Sequence, residues 1–513
     1  MQKIAAIDAG SNAMRMIVGN VDDNWHVQPL ENIRLPVRLG QDVFASGALQ
    51  EKTLQQAVDA FRHFRRVADG FGVVKIRAIA TSAMREAANG DILLDRISRT
   101  SGIDVEVISG AEEARLIHMG VADQIKLKGR RAVLIDIGGG SVEFTISENG
   151  NIVSTDSYNM GTVRLLEKLD GSRDRSLGAL GSQHPFSMLV REYAEAARRR
   201  IDRELGSARV HICIGTGGNV EDLGRLRQRY FKETDATLIT LDELETLIET
   251  LGRISVKERI RKFKLRPDRA DVILPAAIVL HIIAHEAHVR SITIPGVGLK
   301  DGLLLEMADQ LRTGPHVPRR EQVWQSAVQL GRKYDIDSDH ARLTARLAGQ
   351  LFDQSRSLHS LGEEQRLLLE VGALLHDIGH FINTLDHDQH GYYILQANPL
   401  IGLDEHQQAI VANIVRYHRR SVSGSDDPSF KSLPQKDRIV VTKLSALLRL
   451  ADGMDVSHAN HVMGVSLVEK KKVWELSLRG RGDLMLEKWA LNKRRVLFEE
   501  VFGVPLVIQD MES

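Results

Sequence analysis

The segment Leu134-Ile135-Asp136-Ile137-Gly138-Gly139-Gly140-Ser141-Val142-Glu143-Phe144 decides how this chain is read. An apolar run from Ala132 to Ile135 ends in a carboxylate, three glycines follow, and an alternating pattern resumes through Ile146. That order predicts strand, tight turn, strand: a hairpin whose tip offers backbone N–H groups beside one acid. Glycines let a main chain approach a ligand closely, and turn amides are natural anion donors. Asp136 and Glu143 bracket the tip with hard oxygen ligands of the kind Mg²⁺ takes. Taken alone, the stretch fits a flexible hairpin tip equally well.

The same order occurs near the start. Ile4 to Ile7 is an apolar strand ending at Asp8, Ala9-Gly10-Ser11-Asn12 turns the chain, and Met14 to Val18 returns. Each copy opens a region of strands followed by helices, residues 1–125 and 126–312. In the first, Glu51 to Phe71 is a predicted helix with Leu54, Val58, Phe61, Phe64 and Val67 on one face. Lys75 to Ala80 and Val105 to Ile108 are predicted strands. Ser109 or Gly110 then caps a helix carrying Glu112 and Glu113 in its first turn, where the macrodipole favours negative charge. In the second, Phe186 to Leu205 and Val272 to His288 are predicted helices, and Val210 to Ile214 a strand running into Gly215-Thr216-Gly217-Gly218-Asn219. Duplicated α/β halves facing each other across a cleft would bring both Asp turns onto one ligand.

Size and charge set the class. A chain of 513 residues holds roughly three or four domains at about 100–200 residues each. Hydrophobic content of 43% and charged content of 27% are those of a soluble globular protein. Lys+Arg and Asp+Glu both number 68, so neither a nonspecific nucleic-acid coat nor an anionic membrane surface is the expected partner. The single cysteine, Cys213, forms no internal disulfide, which fits a reducing cytoplasm. Asp8 interrupts the short apolar start, so no signal peptide is expected. The longest apolar run, Val272 to Ala284, is broken by Pro275 and His281 and is too short to span a bilayer.

Arg312 to Arg320, with Gly314 and two prolines, is a predicted linker. Beyond it the pattern turns helical over 321–463, where ten of the 19 histidines fall, and strand-like runs return around one helix in 464–513. The last segment is expected to be a small α+β appendage.

The ordered series of Asp-turn, Asp-turn and Gly-turn resembles the actin/hexokinase superfold, with two RNase H-like lobes. Within that superfold the chain is similar to the exopolyphosphatase/guanosine pentaphosphate phosphohydrolase family. The resemblance rests on Asp8-Ala-Gly-Ser-Asn, Ala80-Thr-Ser-Ala-Met-Arg-Glu-Ala, Ile108-Ser-Gly-Ala-Glu-Glu-Ala-Arg-Leu, Asp136-Ile-Gly-Gly-Gly-Ser-Val-Glu and the Gly298-Leu-Lys-Asp-Gly turn. It spans roughly the first 310 residues.

What the resemblance implies is an exopolyphosphatase that hydrolyses the terminal phosphate of inorganic polyphosphate by metal-assisted water attack. Removal of the 5′-terminal phosphate of guanosine pentaphosphate is the sibling reaction. Glu113 would be the catalytic base, with Arg85 near the transferred phosphoryl group and Asp136 orienting water or metal. Gly10, Ser11, Asn12, Gly138, Gly139, Gly140, Ser141 and Gly217 would bind phosphate; Asp8, Asp136 and Glu143 would hold Mg²⁺. Phosphoryl transfer needs positioning and charge neutralisation more than covalent chemistry, and these residue types supply both. Ala13 for a common Ser, Val142 for a common Thr and Lys300-Asp301 for a common Arg-Glu depart from the family pattern without touching these residues. A homodimer is also implied.

Leu374-Leu375-His376-Asp377, together with His340 and Asp452, resembles the HD phosphohydrolase superfamily. The implied ligands of a second divalent metal are His340, His376, Asp377 and Asp452, with His390 and His418 as candidates for a further ion or for phosphate. A decayed HD-like scaffold is the alternative. His281, His285 and His288 do not form His-Glu-x-x-His and are expected to pack rather than bind zinc. Arg198 to Arg200 and Arg261 to Arg266 are expected to be solvated helix faces; lining a groove with Lys128, Arg130 and Arg131, they would suit a polyanion. A kinase of the same superfold and a non-catalytic sensor of polyphosphate or guanosine tetraphosphate are the other function classes. The Glu-Glu-Ala-Arg segment argues against the kinase.

Overall fold

The computed structural model describes residues 2–169, 185–206, 208–313, 317–419, 427–470 and 473–510, in two units, Met1–Pro315 and His316–Ser513. In the first unit both strand–Asp–turn–strand segments are hairpins. β1 (Gln2–Ala9) and β2 (Met14–Val21) pair antiparallel, joined by β3 (Val27–Leu35) on one side and by parallel β4 (Lys75–Ala80) and β5 (Val105–Val107) on the other. β6 (Arg131–Ile137), β7 (Val142–Glu148) and β8 (Asn151–Tyr158) repeat the antiparallel set. β9 (Ile212–Thr216) and β11 (Ser291–Thr293) continue in parallel beside β6, with β10 (Leu238–Thr240) at the edge. Apart from that edge strand, the strand orders 3-2-1-4-5 and 8-7-6-9-11 are one topology used twice.

Strand alternation then sorts the side chains. Ala5 and Ile7 of β1 pack outward with Leu54, Phe61 and Phe64 of the helix Glu51–Phe71. Val133 and Ile135 of β6 pack outward with Val190 and Ile278. Ile4, Ala6, Ala132 and Leu134 face the other way, into one shared core with Leu116 and Val121 of the helix Gly110–Gln124 and Leu303 and Met307 of the helix Leu299–Thr313. The period of two carries Asp8 and Asp136 to this same inner side. Both lobes therefore present their acid toward the helix that carries Glu113.

That helix is held closely. An added Cβ on Gly302 would lie 1.8 Å from Leu116 O, and one on Gly120 3.2 Å from Gly302 N, so the two inner helices cross backbone to backbone. Ser109 is its N-cap, its side chain accepting from Glu112 N.

Element limits differ from the sequence expectation in places. The strand expected at Val210–Ile214 starts at Ile212, and β3 was not foreseen. The linker expected over 312–320 is helical up to Thr313 and again from Val317; residues 314–316 lie outside the described ones. Arg198 and Arg200 are not merely solvated: Arg198 pairs with Glu195 and Glu286, and Arg200 with Asp156.

The second unit is a helical bundle, including Ser338–Gln354, Glu363–Leu375, His387–Ala397, Glu405–Tyr417 and Gln435–Gly453. It ends in a small sheet of β12 (Val462–Lys470), β13 (Val473–Gly480) and β14 (Leu506–Asp510), with the helix Met485–Phe502 before the last strand. Leu467, Leu476, Leu491 and Phe498 of this segment share one core with Leu347, Leu369 and Leu447 of the bundle. Among the described residues no helix is long and apolar enough to cross a membrane.

Candidate active site

The cleft of the first unit is lined by both turns, Gly10 to Asn12 and Gly138 to Ser141, with Asp8, Asp136, Glu113 and Gly217. The turns meet. A Cβ on Gly139 would lie 3.1 Å from Ser11 Cβ, and one on Gly140 2.3 Å from Ser82 Oγ and 2.5 Å from Phe44 Cζ. These two glycines are thus needed for the approach of one lobe's turn to the other. Gly217 has φ of +93° and leads into the helix Gly218–Phe231, where a Cβ would strike Ile137 O at 2.7 Å. Arg164 ties the lobes further: its Nε donates to Gly140 O at 2.6 Å, and its guanidinium pairs with Glu86.

The adjacent glutamates divide their work. Glu112 accepts two hydrogen bonds from buried Arg115, which also pairs with Glu306. Glu113 turns to the cleft, and Arg85 Nη1 lies 3.4 Å from its Oε2 and 2.5 Å from Ile108 O. Arg85 is thus directed at Glu113, while Glu86 belongs to Arg164. Glu113, Asp136 and Glu143 each bring a carboxylate oxygen within 4.8 Å of the others. Asp8 lines the same cleft but is not in that close trio; the sequence had grouped it with Asp136 and Glu143 as metal ligands.

Burial is the first cause that raises all four of these carboxylates, and a neighbouring acid adds to the rise of each. Burial pushes Asp8 up to about 6 against the pull of Arg15, with Asp136 adding to the rise. Burial raises Asp136 despite the 2.6 Å hydrogen bond that Thr216 Oγ1 donates to it. Burial, then the Asp136 charge, pushes Glu143 up to about 7. Burial, followed by Glu143, holds Glu113 well above the ordinary carboxylate range, with Arg85 opposing. Glu143 Oε1 accepts from Ser157 Oγ at 2.8 Å, whereas buried Oε2 has no hydrogen-bond partner. An orphaned carboxylate oxygen within an acidic trio fits a hard divalent cation.

Two cleft residues escaped the sequence reading. Arg15 stands opposite Asp8 across β1 and β2, the register at which Glu143 stands opposite Asp136 across β6 and β7. The signal was available: seven positions separate Asp8 from Arg15 and Asp136 from Glu143. Arg269, almost fully buried, donates to Asn219 Oδ1 at 2.8 Å and lines the cleft beside Arg15. Burial lowers its pKa to about 9, with Arg15 and Arg34 adding to the fall. No sequence pattern marks it.

In the second unit the four expected ligands converge. His376 Nε2 lies 3.2 Å from His340 Nε2, 3.5 Å from Asp377 Oδ2 and 3.7 Å from Asp452 Oδ1. His418 joins them, but His390 does not; His387 takes that place.

A family model described as the Ppx/GppA phosphatase family matches residues 17–311, and one for domain III of the same family matches residues 323–495. The chain belongs to the Ppx/GppA phosphatase family. Over 448 residues it is 30% identical to a guanosine-5'-triphosphate,3'-diphosphate pyrophosphatase of Vibrio parahaemolyticus, covering 87% of this chain and 85% of the relative. A protein of the same name from Aliivibrio fischeri is 27% identical over 490 residues, covering 93% and 91% of the two chains. Among solved structures, an exopolyphosphatase from Cytophaga hutchinsonii aligns with a TM-score of 0.55 and 27% identity, covering 60% of this chain and 98% of its own. The Ppx/GppA chain thus has two actin-like lobes around a cleft, followed by a helical domain and a small C-terminal sheet.

Proposed function

We propose that this Ppx/GppA phosphatase is an exopolyphosphatase, releasing the terminal phosphate of inorganic polyphosphate. The observation that carries the reading is Glu113, held by a backbone-tight helix crossing between two amide-rich turns and beside Asp136 and Glu143. In the reaction, Glu113 accepts a proton from the attacking water, whose oxygen bonds to the terminal phosphorus as the bridging P–O bond breaks. The shortened polyphosphate leaves with the bridging oxygen. Turn amides at Gly10 to Asn12 and Gly138 to Ser141 hold the phosphoryl oxygens, and Arg85 and Arg15 offset charge on them. Asp136 and Glu143, with Asp8 nearby, would hold Mg²⁺, which supplies charge neutralisation and a more acidic water. The reading carries with it the cytoplasmic location that the single cysteine fits and the homodimer that family resemblance implies.

The names of the relatives, which align over most of their length, favour a second reading: removal of the 5′-terminal phosphate of guanosine pentaphosphate. Both substrates present the same terminal phosphoanhydride. Phosphate release from the purified protein, measured across polyphosphate lengths and with guanosine pentaphosphate, with and without Mg²⁺, separates them. The first reading expects turnover on long polyphosphate to exceed that on the nucleotide. The reverse order overturns it in favour of the second, and no release from either removes both.

A further inference from the structure

The helical bundle of the second unit holds a cavity of about 500 Å³. Three helices wall it: Val317–Lys333 with Arg320 and Trp324, Ser338–Gln354 with Arg342 and Arg346, and Glu363–Leu375 with Arg366 and Glu370. Four guanidiniums line this one space, and among the described residues only two carboxylates, Glu321 and Glu370, line it with them. Like charges gathered around a cavity repel, and an anion entering it relieves the repulsion.

The arginines fall into two pairs. Arg320 and Arg366 are anchored by Glu370, 12% exposed, whose Oε1 accepts from Arg366 Nη1 at 2.6 Å and whose Oε2 pairs with Arg320. Asp353 takes the other edge of Arg366, at 2.9 Å from Nε and 2.8 Å from Nη2. Gly349 makes room for this arrangement, since a Cβ there would lie 2.8 Å from Glu370 Oε1. Arg342 and Arg346 are instead exposed, and neither has an ion pair or side-chain hydrogen bond among the described residues. Exposed helical arginines elsewhere, such as Arg62, Arg99 and Arg253, lie beside an acid of their own helix. Arg342 and Arg346 sit one turn apart on one face, so their guanidiniums reach the same small volume.

Beside these charges stands an aromatic plane. Trp324 packs partly against the bundle core and also lines the cavity, next to buried Ala345 and Leu367. Lys493 covers the ring of Trp489 at 3.9 Å, whereas no ring or cation among the described residues covers Trp324. We propose that this cavity binds a nucleoside diphosphate. The base lies against Trp324, Ala345 and Leu367; the diphosphate takes Arg342 and Arg346, with anchored Arg320 and Arg366 behind them. A guanidinium fork matches phosphate oxygens directly, so the contact needs no divalent ion. The volume is that of a small-molecule site, and a chain of inorganic phosphate would leave the indole unused. The site lies within the second unit and is independent of which phosphoanhydride the cleft hydrolyses.

The test is calorimetric titration of the full-length protein with GDP, ADP and pyrophosphate, in a chelator that keeps divalent ions out of the cleft. Wild type should bind GDP or ADP about tenfold more tightly than pyrophosphate, which carries the same two phosphates without a base. The double variant R342A/R346A should weaken that nucleotide about 100-fold. R342Q/R346Q keeps side-chain volume should the alanine variant fail to fold. Trp324→Leu should weaken the nucleotide about tenfold and leave pyrophosphate unchanged, and Trp324→Phe should keep most of the affinity. No saturable binding of either nucleotide by wild type, equal affinity in a folded double variant, or pyrophosphate binding as tightly as both nucleotides overturns the proposal.

Discussion

Glu112 and Glu113 are neighbours in the chain, yet one is bound to Arg115 in the interior and the other faces the cleft. Replacing each should therefore damage a different property. Glu113→Gln should lower phosphate release by about 10²–10⁴-fold while polyphosphate binding and unfolding midpoint stay near wild type. Glu112→Ala should instead destabilise the fold by about 3 kcal/mol, because it removes one partner of a buried guanidinium. Steady-state kinetics beside denaturant titration reads both; equal turnover loss without unfolding in the two variants would contradict the division.

The lobes' turns should tolerate no added carbon at Gly140. Gly140→Ala places a methyl against Ser82 Oγ and Phe44 Cζ, at a strain of about 1–3 kcal/mol. Loss of most activity is expected, with the chain still folded by circular dichroism. Gly129→Ala is the contrast: it has φ of +77° and open space around its Cβ, so stability should fall by about 1 kcal/mol with activity unchanged.

Arg15 and Arg269 should act on binding more than on turnover. Arg15→Gln and Arg269→Gln each remove a cationic donor from the cleft, where a hydrogen bond to a charged group is worth about 1.5–3 kcal/mol. KM for polyphosphate should rise roughly 10–100-fold with a smaller change in kcat, and its salt dependence should weaken. A pure kcat effect would assign these arginines to the chemical step instead.

The acid cluster ties stability to pH and metal. The folded pKa of Glu143 lies at about 7, above its ordinary 4.5, so folding favours its protonated form. The stabilisation this gives is fully present below pH 4.5 and is lost as pH rises through 7. Without divalent metal, the stability difference between wild type and Glu143→Gln should move against wild type from pH 5 to pH 8. Mg²⁺ should restore wild type at pH 8 and leave the variant little changed. Denaturant titration at the two pH values checks it; a difference independent of pH and Mg²⁺ would mean that the Glu143 carboxyl does not titrate in this range.

The hairpins at Asp8 and Asp136 were legible because a glycine turn after an apolar strand is a local signal, and so was the Ser109 cap. Strand β3 was not. It contains Pro29 and is exposed along much of its length as an edge strand, and it meets β2 at a register shift beside Val18 and Gly19, so neither alternation nor β propensity announces it. Arg269 was invisible for another reason: its place in the cleft comes from contacts with Asn219 and Asp222, on a helix far from it in the chain. His387, rather than His390, reaches Asp377 because the start of the folded helix His387–Ala397 decides which of two nearby histidines points to that carboxylate.

The helix crossing at Gly120 and Gly302 has a consequence for synthesis. The inner face of the sheet built on β1 is covered partly by Leu303, Leu304 and Met307, residues translated some three hundred codons after the strand itself. A nascent chain that has emerged only through Gln124 still exposes that face, and it can finish its core only when the helix Leu299–Thr313 arrives. A ribosome stalled before that point would carry an aggregation-prone intermediate, the kind of species that chaperones bind.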